Sequence, residues 1–131
     1  ILDREGEVLE SAPSPPPGLV VLAGPPPTVE DGRPVEPGAR VAVSRALKVA
    51  AFLPSGLRAV VRAVEVGEED SGELWLLVAE DGRIRLGGTE QLSAKLLAVA
   101  TVLGQIDVGC VATLDVRVPT APVLTRAGHC A

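Results

Sequence analysis

The side chains best suited to acid–base or metal chemistry are few and poorly placed in this sequence. The single histidine, His129, is third from the C-terminal end and stands beside Cys130. A zinc site needs more ligands than this pair supplies, and a catalytic base needs a fixed position that a chain end does not give. We therefore interpret His129 as a solvated tail residue and predict no metal site.

Nucleophilic serines and phosphate-binding loops are missing as well. Ser55, Ser71 and Ser93 have no GxSxG context and no internal histidine to activate them. The glycines of DGRIRLGG (81–88) miss the offsets of a Walker or dinucleotide loop, and the acidic run EVGEEDSGE (65–73) lacks calcium-loop spacing. The absence of a convergent titratable cluster predicts a protein that binds rather than catalyses and that uses no cofactor.

Composition argues against nucleic acid as a partner. The 131 residues carry 17 acidic and 12 basic side chains, a formal charge of -5, with one Phe and one Trp. Phosphate backbones attract clustered Lys and Arg, and single strands need aromatic stacking platforms, so both requirements are unmet. The sequence contains no run of about 20 apolar residues, so we predict no membrane span within it.

The two cysteines allow two interpretations. A bridge between Cys110 and Cys130 would close a loop of about 20 residues and stabilise the fold by roughly 3 kcal/mol in an oxidising compartment. The alternative is two unrelated thiols, one of them buried and the other in the tail.

Two segments show helical periodicity. Residues 36–53 end before Pro54 and carry apolar side chains at helical spacing at Val43, Leu47, Ala50 and Ala51. Residues 89–104 begin with Thr89 as a predicted N-cap and carry one apolar stripe, made of Leu92, Leu96, Val99 and Leu103. Both segments predict helices that lie on a sheet.

Strand patterns fill the remainder. They predict a hairpin over 1–10, a proline-rich arm over 11–38, strands within 59–66, 73–80 and 83–87, and a last strand at Leu114 to Val118. Asp81 and Gly82 predict a type I′ turn between the middle pair. The fold class is therefore α+β, a single domain with a largely antiparallel β-sheet, two helices packed on one face and a C-terminal edge strand.

Several segments in this order resemble the extracytoplasmic β-domain of the bacterial cell division family FtsQ/DivIB. They are DREGEVL, GLVVLAGPPP, RVAVSRALKVAAFLP, LWLLVAEDGRIRLGGTEQLSAKLLAVATVL and TLDVRVPTAPVL, and together they extend the resemblance over residues 1–131. The richness in Ala, Arg, Pro and Gly, with only Lys48 and Lys95 as lysines, is most similar to actinobacterial members. Family members also carry a cytoplasmic tail, a transmembrane helix and a POTRA domain, which the resemblance places upstream of this chain.

The resemblance implies a non-enzymatic divisome scaffold, anchored in the cell membrane by a single span, with this domain outside the membrane at the division site. It implies binding to FtsB-like and FtsL-like proteins, by addition of a partner strand to the last strand of the domain, which links early and late division proteins in septum formation. The implied partner-binding residues are Thr113, Leu114, Asp115, Val116, Arg117, Val118, Thr120, Ala121 and Val123.

Further expectations concern this edge. Asp115 and Arg117 are predicted to point outward and to guard the edge against indiscriminate pairing. Val116→Pro is expected to abolish partner binding without unfolding the domain, and the isolated domain is expected to be a monomer. Two alternatives stay open: a POTRA-linked interaction domain of a transport or secretion assembly, and a small enzyme whose site another chain completes.

Overall fold

In the computed structural model, which describes residues 21–23, 37–67, 73–79 and 81–130, six strands form one sheet. They lie side by side in chain order as β1 (Val21–Ala23), β2 (Val61–Val66), β3 (Leu74–Val78), β4 (Arg83–Gly87), β5 (Val111–Asp115) and β6 (Val123–Arg126). The helices are α1 (Pro37–Phe52), the short α2 (Ser55–Arg58) and α3 (Leu92–Leu103). The predicted hairpin over 1–10 and most of the proline-rich arm lie outside the described residues.

Strand pairing agrees with the predicted α+β class. The pairs β2–β3, β3–β4 and β5–β6 are antiparallel, whereas β1–β2 and β4–β5 are parallel. A parallel pair needs a crossover connection, and α3 lies in the connection between β4 and β5. Helices α1 and α3 contact each other and the sheet, so the mostly antiparallel sheet with two packed helices is confirmed.

One apolar core lies between the helices and the sheet. It contains Ala46 and Val49 of α1, Leu96 and Val99 of α3, and strand residues such as Val64, Leu76, Ile84 and Leu114. The predicted stripe of α3 is correct at its first three positions. The stripe predicted for α1 is rotated, because Ala46 and Val49 are buried while Ala51 is exposed. Alanine and valine occur on several sides of this helix, so hydrophobicity alone does not fix its rotation.

The β3–β4 hairpin forms as predicted, but its turn is of another kind. Gly82 does not have the positive φ that a type I′ turn requires, and its N–H donates to the carbonyl of Ala79 at 3.4 Å. A Cβ at Gly82 would lie 2.6 Å from Val78 Cγ2 and 2.8 Å from the Val111 carbonyl oxygen. Glycine is therefore needed here for close packing against β5.

Charged side chains cover the apolar groups on the sheet face opposite the helices. The Arg83 guanidinium lies 4.2 Å from the centroid of the Trp75 ring and pairs with Glu65. Arg85 lies 5.5 Å from the same centroid and pairs with Glu73. Cation–π contacts and long aliphatic stems thus shield the half-buried tryptophan. Strand β3, which the sequence predicts as central and covered on both faces, is the third of six.

A buried lysine fixes the turn that leads into α3. Lys95 has 0% exposure, and its Nζ donates to the Gly88 carbonyl and to Glu90 Oε1, both at 3.2 Å. The predicted N-cap Thr89 does not cap the helix. Instead Gln91 precedes α3 in the left-handed conformation, with φ 53° and no capping side chain. The helix therefore begins at Leu92, after a turn held by the Lys95 ammonium.

We expect Lys95→Ala to lower the free energy of unfolding by about 2 kcal/mol, because three buried methylene groups are lost at about 0.8 kcal/mol each. Urea denaturation checks this value, and Lys48→Ala is the control because Lys48 is exposed. Equal unfolding midpoints for the two variants would contradict the structural role of Lys95.

Candidate partner-binding edge

The strand predicted to form the sheet edge is an inner strand. β5 pairs with β4 on one side and with β6 on the other, so the expectation that Leu114 to Val118 forms an open edge is wrong. β5 also ends three residues earlier than the predicted strand, at Asp115. The reason is that Pro119 and Pro122 redirect the chain instead of ending the sheet. A turn in which the Ala121 N–H donates to the Val118 carbonyl at 3.0 Å leads into β6.

β6 is the last strand of the sheet and its outer side is unpaired within the described residues. The Ala127 N–H donates to the Cys110 carbonyl at 2.8 Å, toward β5. The N–H and C=O groups of successive strand residues point to opposite sides of the strand. Because those of Ala127 point to β5, those of Thr125 and Val123 also face β5. Those of Leu124 and Arg126 face outward. The edge therefore offers two N–H and two C=O groups to an added strand.

The nine sequence-predicted residues fall into three environments. Leu114 and Val116 are fully buried core residues, and Thr113 and Asp115 are half-buried in the inner strand β5. The remaining five, which are exposed, lie beyond β5 and are Arg117, Val118, Thr120, Ala121 and Val123. Whether any of the nine contacts a partner stays a prediction.

Val116 also does more for the fold than the sequence indicates. Its N–H donates to the Arg85 carbonyl at 3.0 Å and its side chain is buried. Proline at this position would remove that bond and disturb the core, so we now expect Val116→Pro to unfold the domain as well as to prevent binding.

A disulfide holds the hairpin that carries the edge. Cys110 and Cys130 are bonded, with a Cα–Cα distance of 5.5 Å. Cys110 ends a short 3₁₀ turn directly before β5, and Cys130 follows β6 by four residues. The bridge thus encloses both strands of the hairpin. It also fixes the exposed His129, which the sequence predicts to lie in a loose tail.

The charges predicted to guard the edge are paired within the chain. Arg117 Nη2 lies 2.8 Å from Asp115 Oδ2, and the Arg117 N–H also donates to Asp115 Oδ1 at 3.0 Å. These bonds lower the pKa of Asp115 against a weaker opposing effect of burial. A neighbouring bidentate pair has the same effect, because hydrogen bonds from Arg85 lower the pKa of Glu73.

We expect stability to fall in acid because of these pairs. A carboxylate with a lowered folded-state pKa stabilises the fold above its unfolded-state pKa, and this contribution is lost as the pH falls through the folded-state value. Unfolding midpoints in urea should therefore be lower at pH 3 than at pH 7. Asp115→Asn should show a smaller difference between the two pH values, and an unchanged difference would contradict the role of this pair.

An open groove adjoins the connection between β5 and β6 on the helix side of the sheet. It has a volume of about 740 Å³ and is formed by the end of α1, the start of α3 and the connection between β5 and β6. Phe52 and Val118 contribute apolar side chains that are 50% and 58% exposed. The lining residues are Lys48, Phe52, Thr89, Gln91, Leu92, Ser93, Ala94, Val118, Pro119 and Thr120.

Sequence reasoning missed both β6 and the groove. The segment VLTR (123–126) is too short for a clear alternation, although its position between Pro122 and Cys130 is a signal that the chain returns to the sheet. Phe52 reads as an ordinary apolar residue at a helix end. Only its placement against the β5–β6 connection makes it part of a surface.

Within the described ranges, no group of three or more His, Cys, Asp or Glu side chains could hold a metal ion, and no helix is long and apolar enough to cross a membrane. A family model described as cell division protein FtsQ/DivIB, C-terminal, matches residues 1–117. No curated protein matches the chain. Strand β6 and the second cysteine thus follow the matched residues.

Proposed function

Since the chain belongs to the family of the C-terminal domain of the cell division protein FtsQ/DivIB, it has a role in cell division, and we propose that this role is a non-enzymatic scaffold. The scaffold binds FtsB-like and FtsL-like proteins on the outer side of the cytoplasmic membrane. It thereby connects early and late division proteins at the septum. An anchor upstream of the chain would hold it at that surface.

The observation that carries the binding mode is the outer side of β6, with which no strand in the described part of the chain pairs. An extended segment that pairs with a sheet edge gains main-chain hydrogen bonds, and side-chain contacts give it specificity. We therefore place the added strand on β6, next to Leu124 and Arg126, and not on β5. Of the residues predicted from the sequence, this placement keeps Val123 within the pairing strand and Val118, Thr120 and Ala121 beside it.

Strand addition alone would be weak. Four outward hydrogen bonds at about 1 kcal/mol net each give about 4 kcal/mol, which only reaches the lower end of an association cost of about 4 to 15 kcal/mol. Side-chain contacts must supply the remainder, together with anchoring of both partners in one membrane, which raises their effective concentration.

Titration calorimetry tests this function. The 131-residue chain should bind the extracytoplasmic segment of the FtsB-like protein of its own organism saturably, at one partner per chain. A scrambled segment of the same composition is the control. Absence of saturable binding, with the FtsB-like segment alone and with the FtsL-like segment added, would reject the scaffold function.

A further inference from the structure

Two of the four large apolar side chains that are exposed in the described part of the chain line the groove. They are Phe52 and Val118. Val123, which is 62% exposed, pairs with Asp115 at the start of β6, so its side chain projects from the other face of the sheet. The fourth, Leu97, is 67% exposed and does not line the groove. The connection that carries Val118 leads from the groove to β6, whose outer side is unpaired among the described residues, and this arrangement suits one ligand that contacts both.

The direction of an added strand decides which part of the partner meets the groove. A strand that pairs antiparallel with β6 runs parallel to β5, because β5 and β6 are themselves antiparallel. Its C-terminal end then lies beside Val123, where the connection formed by Val118, Pro119 and Thr120 leads from the groove into β6. Partner residues that follow the strand therefore reach the groove first.

The lining of the groove indicates what those residues are. Among the residues that the structure describes, Lys48 is the only charged one that lines it and no carboxylate does, although the whole chain carries a net charge of -5. Phe52 supplies an aromatic surface that is half open to solvent. A bulky apolar side chain would cover this surface, and a carboxylate beside it would pair with the Lys48 ammonium.

We infer that the groove receives the part of the partner that follows the added strand, and that this part presents a bulky apolar side chain next to a carboxylate. The inference rests on the proposed function and names the second anchor that strand addition on β6 needs. Gln91, which is held in the left-handed conformation at the start of α3, lies on the wall of this anchor site.

Calorimetry with the FtsB-like extracytoplasmic segment tests the inference on the 131-residue chain. Phe52→Asp should weaken binding at least about tenfold, since it places a charge on the apolar surface and repels a carboxylate. Leu97→Asp is the matched control, because it makes the same kind of change at an exposed apolar residue outside the groove, and should stay within about twofold of the wild type. Both variants should unfold at wild-type urea concentrations.

Charge and partner truncation give two independent readouts. Lys48→Glu should weaken binding about fivefold at low salt, and the difference should shrink at high salt because screening reduces charge pairing. A partner segment that ends directly after the added strand should bind the wild type more weakly than the full segment does. Phe52→Asp should bind the full and the shortened segment with equal affinity. This result is expected if Phe52 contacts the partner residues that the shortened segment lacks.

The outcomes separate the inference from the function on which it rests. Wild-type binding of the FtsB-like segment with unchanged affinity in Phe52→Asp and Lys48→Glu would overturn the groove and leave the scaffold function intact. No binding by the wild type would overturn both. A change in self-association of Phe52→Asp in sedimentation, without a change in partner affinity, would assign the groove to a second copy of the chain and overturn the inference.

Discussion

Reduction of the Cys110–Cys130 disulfide is expected to lower the free energy of unfolding by about 3 kcal/mol and to weaken partner binding at the same time. The bridge spans 20 positions in sequence, and a closed loop of this size restricts the unfolded chain by about that amount. The loop contains β5, the connection and β6, so the loss falls on the candidate edge and not evenly on the sheet.

We expect β6 to depend on the bridge more than the other strands do. Of its four residues only Leu124 is half-buried, whereas β3 buries Leu74, Leu76 and Val78. A strand with so little buried apolar surface gains little from packing, and its local opening requires less free energy than global unfolding. Without the bridge we expect β6 to separate from β5 while β3 stays paired.

Hydrogen exchange and urea denaturation check this expectation by comparing the oxidised and the reduced form of the same protein. The N–H groups of Val123 and Thr125, which face β5, should exchange faster after reduction, and the Leu76 N–H should serve as the internal reference. The variant with both cysteines replaced by serine should behave like the reduced chain. Equal protection of β6 in both redox states would show that the ladder alone holds the strand.

Local patterns identify the middle of this fold from sequence. LWLLV and RIRLG on either side of a turn place β3 and β4 correctly, since strand composition and a short connection leave one simple pairing. Pro54 likewise marks the region where α1 ends. The turn type is not predicted correctly because Gly82 is needed for a steric reason and not for a positive φ. A Cβ at this position would clash with the carbonyl of Val111, which belongs to a strand far along the chain.

The candidate site is the least predictable part because it depends on long-range packing. Prolines at positions 119 and 122 suggest an end to the strand pattern, yet the chain turns there and adds β6. Asp115 and Arg117 look like free edge charges in the sequence, but they bond to each other. The buried Lys95 ammonium donates to the Gly88 carbonyl, a contact that helical periodicity does not reveal.

Arg126→Pro is expected to weaken binding of the FtsB-like segment at least about tenfold while the domain stays folded. The Arg126 N–H points away from β5, so proline removes a hydrogen bond to the partner and none within the sheet. The ring also blocks close approach of an added strand, which adds to the loss of about 1 kcal/mol from the bond itself. Thr125, the preceding residue, is already extended, as a residue before proline prefers.

Two matched substitutions separate the backbone from the side chain. Arg126→Ala removes the charge and keeps the N–H, so calorimetry should show affinity within about threefold of the wild type. Thr125→Pro removes an N–H that faces β5, and it should lower the unfolding midpoint in urea, which Arg126→Pro should not. Because the two prolines differ by one position and by the side of the strand they affect, equal effects on stability would contradict the register of β6. Equal binding by Arg126→Ala and Arg126→Pro would mean that the partner does not pair with this edge, and the added strand would then have to be sought elsewhere on the sheet.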